Sequence, residues 1–155
     1  MPPGFSGLDF YYILPELILT GGALVLLAAE ALTPRHQGMP MWLALATLVA
    51  TAVSLLSFWG IDATASRGLL AIDGFAFFFK LVFLVTAAIT ILMSAPYLKA
   101  EGIRAGEYYF LILCATLGMM FMASGVDLIA IFIGLETMAV SFYILVGFLK
   151  PSRRS

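Results

Sequence analysis

Apolar residues fall in five long runs separated by short polar connections. The runs cover about 13–32, 41–60, 74–95, 108–124 and 127–149. Each has about 17–23 residues, enough for a tilted helix to cross a ~30 Å hydrocarbon core. Polar and apolar residues do not alternate as they would in a transmembrane barrel. Backbone groups in lipid must satisfy one another within the segment, so the runs are predicted to be helices. The pattern predicts an all-α, polytopic transmembrane helix bundle of about five membrane-spanning helices, with residues 1–155 forming a single transmembrane domain.

The connections carry the expected punctuation. Residues 33–40 include Pro34 and Pro40, both helix breakers. Residues 61–73 include Asp62, Gly68 and Asp73, and residues 96–107 include Lys99, Glu101 and Arg104. Ser124-Gly125-Val126-Asp127 reads as a tight turn with Asp127 as N-cap, which makes the fourth and fifth helices an antiparallel hairpin. The first run does not read as a signal peptide, because nothing basic precedes it and Asp9, Pro15 and Glu16 interrupt its start. Pro15 and Glu16 suit the first turn of a helix, where the acid meets the positive end of the dipole.

Basic residues set a direction. The N-terminal tail, the second connection and the fourth turn hold only Arg67, whereas the opposite side holds Arg35, Lys99, Arg104, Lys150, Arg153 and Arg154. The positive-inside rule then places the N-terminus outside and the C-terminus in the cytoplasm. Tyr11, Tyr12, Trp42, Trp59, Tyr97, Tyr108 and Tyr109 lie near run ends, as an interfacial aromatic belt would.

Composition agrees. The chain is 63% hydrophobic and 11% charged, with a mean hydropathy of +1.07, outside the range of soluble domains. It is expected to be an integral membrane protein with the bilayer as partner. The net charge of −1 says nothing about nucleic acid, but no basic patch is present to bind it, and no nucleic-acid partner is expected. Cys114 is the single cysteine and sits in an apolar run, where it packs as a small hydrophobe. Met119, Met120 and Met122 read as adaptable filler, and His36 as an exposed loop residue. No Cys/His cluster, glycine-rich phosphate loop or nucleophile motif is present, so no metal or cofactor is expected in this chain. Any redox chemistry would belong to another chain.

The polar residues inside the runs carry the candidate chemistry. Glu136 lies within the last run, roughly 12 Å from one face and roughly 18 Å from the other at 1.5 Å per residue. A charged group at such a depth costs about 2.5–3.5 kcal/mol on insertion scales, and these residues commonly mark ion or proton paths. The alternative is a protonated acid that glues helices by hydrogen bonding. Lys80 lies roughly 9 Å into the third run. It falls close to the depth of Glu136 and either joins the same polar network, snorkels outward along its stem or takes another partner. Glu30, near the far end of the first run, reads as solvated or paired at the interface. On the last run Glu136, Tyr143 and Gly147 share one stripe, while Gly134, Thr137 and Ser141 form a second, predicted packing face. Thr86, Thr90 and Ser94 read as packing residues of the third run.

The segment GEYYFLILCATLGMMFMASGVDLIAIFIGLETMAVSFYILVGFLKPSRRS resembles the membrane subunit N of proton-pumping NADH–quinone oxidoreductase, respiratory complex I. LPELILTGGALVLLAAEAL and DGFAFFFKLVFLVTAAITILMSAPYLKAEG are similar to its earlier parts. The glutamate of GLE is the hallmark that this subunit shares with the other antiporter-like subunits. The resemblance implies that Glu136 is the acidic member of a buried Glu–Lys pair in a proton path. It also places Lys80 where the family commonly has a basic residue, here a possible charge partner. NADH, FMN, iron–sulfur clusters and quinone are then expected on other subunits. The other membrane subunits of the complex are the implied partners, in a bacterial inner membrane. The family's subunit is far longer and carries the pairing lysine on its seventh helix, which implies that this chain is an N-terminal part that moves no protons alone. The alternatives are an antiporter-like subunit of a cation/proton antiporter or membrane hydrogenase, and a non-transporting structural or assembly piece.

Overall fold

The computed structural model of the chain describes residues 7–32, 38–65 and 68–148. Pro34, Arg35, His36, Arg67, Lys150, Arg153 and Arg154, which carry expectations above, lie outside them. The element order is α1 (Gly7–Tyr12), α2 (Leu14–Leu32), α3 (Met39–Leu56), β1 (Ala63–Ala65), β2 (Leu70–Ile72), α4 (Gly74–Glu101), α5 (Ala105–Ser124) and α6 (Leu128–Phe148). Five of these, α2 to α6, are long and apolar enough to cross a membrane. The chain is therefore an all-α polytopic bundle with one small strand pair.

α5 is the hub. It packs against α2, α3, α4 and α6 and is half buried along its span, whereas α6 is only 11% buried and rests chiefly on α5. Tyr109, Leu113 and Met120 of α5 meet Leu19 and Leu26 of α2, Leu48 of α3, and Leu84 and Ile91 of α4 in one apolar core. Met120 is fully buried, in keeping with its expected role as filler. Tyr109 is also fully buried, so it belongs to the core and not to the aromatic belt. Trp42, Trp59 and Tyr97 do stand exposed near helix ends.

Glycines set two helix crossings. Gly118 precedes Val126 by as many residues as Gly134 follows it, and the two meet backbone to backbone. A Cβ on Gly118 would lie 2.6 Å from the Gly134 carbonyl oxygen. α5 and α6 thus form the antiparallel hairpin, with Asp127 Oδ1 accepting the Ile129 N–H at 3.4 Å to cap α6. At the second crossing α2 meets α3, where Gly22 makes room for Thr47.

Three features depart from the sequence pattern. α4 does not stop at Ala95 but runs through Pro96 to Glu101. Proline removes one backbone donor and can be tolerated when packing carries the helix on. Here Leu98 returns to the core at 2% exposure. Gly102 then ends the helix with φ of 64°, its N–H donating to the Leu98 carbonyl. α3 ends at Leu56 rather than Gly60. The connection at 61–73, read as loop, holds an antiparallel hairpin pairing Ala63 with Ile72 and Ala65 with Leu70. This hairpin lies across the end of the bundle. Leu70 bridges Gly125, and the Val126 N–H donates to the Leu69 carbonyl at 2.9 Å.

Candidate functional site

Lys80 finds its partner on another helix. Asp73 caps α4 by accepting the Ala76 N–H at 2.7 Å, which fixes the first turn. Seven residues on, and therefore on the same face, Lys80 points inward and is 5% exposed. Its ammonium donates to Glu16 Oε1 at 2.5 Å, and Glu16 is itself 2% exposed. Of the outcomes open for Lys80, another partner is the one seen: it does not snorkel outward, and it is not joined to Glu136. α2 and α4 both begin at the hairpin end of the bundle, so the two opposite charges are brought to similar depths. The hub helix α5, not α4, is the main support of α6.

Glu16 is the partner of Lys80 that sequence reasoning missed. Its position in the first turn of α2 gave it a sufficient local explanation through the helix dipole. The available signal was a lone acid and a lone base near matching ends of two parallel runs. Burial makes this pair consequential, because removing one partner from a buried ion pair strands a charge in a low-dielectric setting.

Glu136 occupies the opposite kind of surface. It is exposed on α6, on the side turned away from α5, together with Tyr143 at 75% exposure and with Gly147. It makes no hydrogen bond or ion pair among the described residues. Gly134 and Ser141, on the other stripe, are buried against α5, and Ser141 Oγ donates to the Thr137 carbonyl at 2.8 Å. The packing face is therefore where the small residues placed it. Thr86 and Thr90, expected to be packing residues, are instead exposed and donate to carbonyls of their own helix, as does half-buried Ser94.

At the end opposite the hairpin, a groove of about 680 Å³ is lined by Glu30, Lys99, Arg104 and Tyr109 among others. Glu30 is half-buried against Gly106 in the first turn of α5, the positive end of that helix. Arg104 and Glu107 form an exposed ion pair at 3.7 Å, a contact of small worth. Among the described residues no group of three or more His, Cys, Asp or Glu side chains gathers to hold a metal.

Apolar helices of spanning length, with ionisable groups held at set depths inside them, place this chain among the multi-pass membrane proteins. No family model matches the sequence. Individual relatives do. The chain is 45% identical over its whole length to NADH-quinone oxidoreductase subunit N 1 of Koribacter versatilis (strain Ellin345), covering 32% of that protein. It is 42% identical over 91% of its length to subunit N 2 of Rhizobium meliloti (strain 1021), covering 30% of it. It is 36% identical over 97% of its length to subunit N of Trichlorobacter lovleyi, covering 31%. Over the stretch it has, the chain belongs to the family of NADH-quinone oxidoreductase subunit N. It spans about a third of the length of the curated relatives it matches.

Proposed function

We propose that this chain contributes to a proton-translocating membrane subunit of an NADH-quinone oxidoreductase, with Glu136 as its acidic relay group. The observation that carries the reading is a carboxylate in mid-span, on a helix face that no other described helix covers. An acid in that position is expensive unless further helices bring it a partner. The chain spans about a third of its relatives, and in the longer family members a lysine on a later helix fills that role. The mechanism is electrostatic: a cation drawn up to a buried carboxylate favours its ionised form, and withdrawing the cation favours protonation. Quinone reduction on other subunits supplies the driving change. The other membrane subunits are then the partners, and NADH, FMN, iron–sulfur clusters and quinone are bound elsewhere. The basic residues orient the chain with its N-terminus outside.

The glue reading of Glu136 has less support, because the residue makes no hydrogen bond to any described residue of this bundle. The test is Glu136→Gln in the assembled complex. Glutamine keeps the shape and hydrogen bonds but cannot exchange a proton. Protons pumped per NADH oxidised should fall. Unchanged stoichiometry with unchanged turnover would favour glue instead.

A further inference from the structure

The Glu16–Lys80 contact leaves buried polar capacity unused. A carboxylate accepts at both oxygens and an ammonium offers three donors. Glu16 Oε1 takes one Lys80 N–H, while Glu16 Oε2 is sealed from solvent without a hydrogen-bond partner. Ser54 Oγ on α3 is in the same condition. The two groups lie at one level. Counted from the Gly22–Thr47 crossing toward the hairpin end, Glu16 is roughly 9 Å away along α2 and Ser54 roughly 10.5 Å along α3.

On the Lys80 side of the pair is a cavity of about 10 Å³ whose lining includes Lys80, Asp73 and Tyr12 but not Glu16. That volume holds about one water molecule, and three polar groups meet the two to four partners a buried water needs. Tyr12 and Asp73 are the only other titratable groups lining it among the described residues. α3 and β2 present Leu55 and Ile72. α5, packed against α2 and α4, has no titratable residue between Cys114 and Asp127. Asp73 is half-buried at the bundle end and begins the helix that carries Lys80.

We propose that Glu16, Lys80 and a water in this cavity form a second proton-exchanging site, which communicates with the hairpin end of the bundle through Asp73. The site is separate from Glu136 and does not rest on the reading of that residue. The ammonium of Lys80 gives a proton to the cavity water, which passes one to the Asp73 carboxylate. The Lys80 amine then takes the proton of a protonated Glu16 across their hydrogen bond. The sum moves one proton from Glu16 to Asp73 and restores the Lys80 ammonium; the reverse sequence loads Glu16. No electron is moved.

A plain structural clamp and a relay respond differently to Lys80→Arg. Arginine keeps the ion pair but its guanidinium does not give up its proton in proteins. In membranes that hold the chain with its natural partner subunits, infrared difference spectra after a pH jump should show a carboxyl band. The band should vanish in Glu16→Gln and persist in Glu136→Gln. In Lys80→Arg its rise should slow by roughly 10²-fold, the scale of losing one proton-transfer group, with the melting temperature preserved. Should Glu16→Gln fail to assemble, the Lys80→Arg rate decides alone. A wild-type rate in Lys80→Arg, or a spectrum in which Glu16→Gln removes nothing, overturns the proposal. Neither result bears on Glu136, which its own variant tests.

Discussion

Replacing Gly118 by alanine puts a methyl group where α6 already lies. The added Cβ would sit 2.6 Å from the Gly134 carbonyl oxygen and 2.7 Å from the Met138 nitrogen. Both are backbone atoms, so no side-chain rotation relieves the overlap. To restore the 3.4 Å of ordinary contact, α6 must retreat by about 0.8 Å. A gap of that size forfeits a quarter to a half of each dispersion contact it opens, and in lipid such close packing is a main source of helix association. Overpacking of this kind costs about 1–3 kcal/mol. Gly147→Ala, on α6 itself, is the matched control, because nothing lies within 4 Å of its Cβ. There alanine should be neutral or stabilising by up to about 1 kcal/mol through helix propensity. Thermal unfolding in mild detergent, followed by helical circular dichroism, separates the two. If Gly118→Ala melts at or above Gly147→Ala, the backbone-to-backbone crossing is not what holds the hairpin.

Lys80→Leu should destabilise the bundle by about 3–5 kcal/mol, because it strands the Glu16 carboxylate, while Glu16→Leu/Lys80→Leu should recover most of the loss; the same melting assay checks this, and a double variant that costs the sum of the singles would rule out coupling. Cysteines placed at Ser6 and Ser152 should label from the outside and from the cytoplasm, respectively. Outside labelling at position 152 would reverse the orientation.

What could be read in the sequence was local. Gly134 and Ser141 announced their burial because small residues at helical spacing have one use in lipid, and the opposite stripe with Glu136 and Tyr143 followed by elimination. Asp127 announced the start of α6 by its type and place. The connection placed at 96–107 begins too early, because Leu98, buried beyond Pro96, carries α4 on to Gly102. The strands Ala63–Ala65 and Leu70–Ile72 were invisible because three residues are too few to show a period. The Glu16–Lys80 bond was hidden for a different reason. Its two ends are far apart in sequence, and each had an adequate local explanation, the helix dipole for one and snorkelling for the other. Only the shared direction of α2 and α4 pointed to it.

The strand pair has a mechanical consequence. It ties the turn between α5 and α6 to the start of α4 through the Leu70–Gly125 bridge and the Val126–Leu69 hydrogen bond. At the other end residues of α2, α3, α4 and α5 line the 680 Å³ groove. The bundle is therefore tied by backbone bonds at one end and grooved at the other. A load that slides α5 and α6 past α4 is carried straight to Leu70, three residues from Asp73. The same two contacts join the α5–α6 turn to the strand that leads into the Lys80 end of α4.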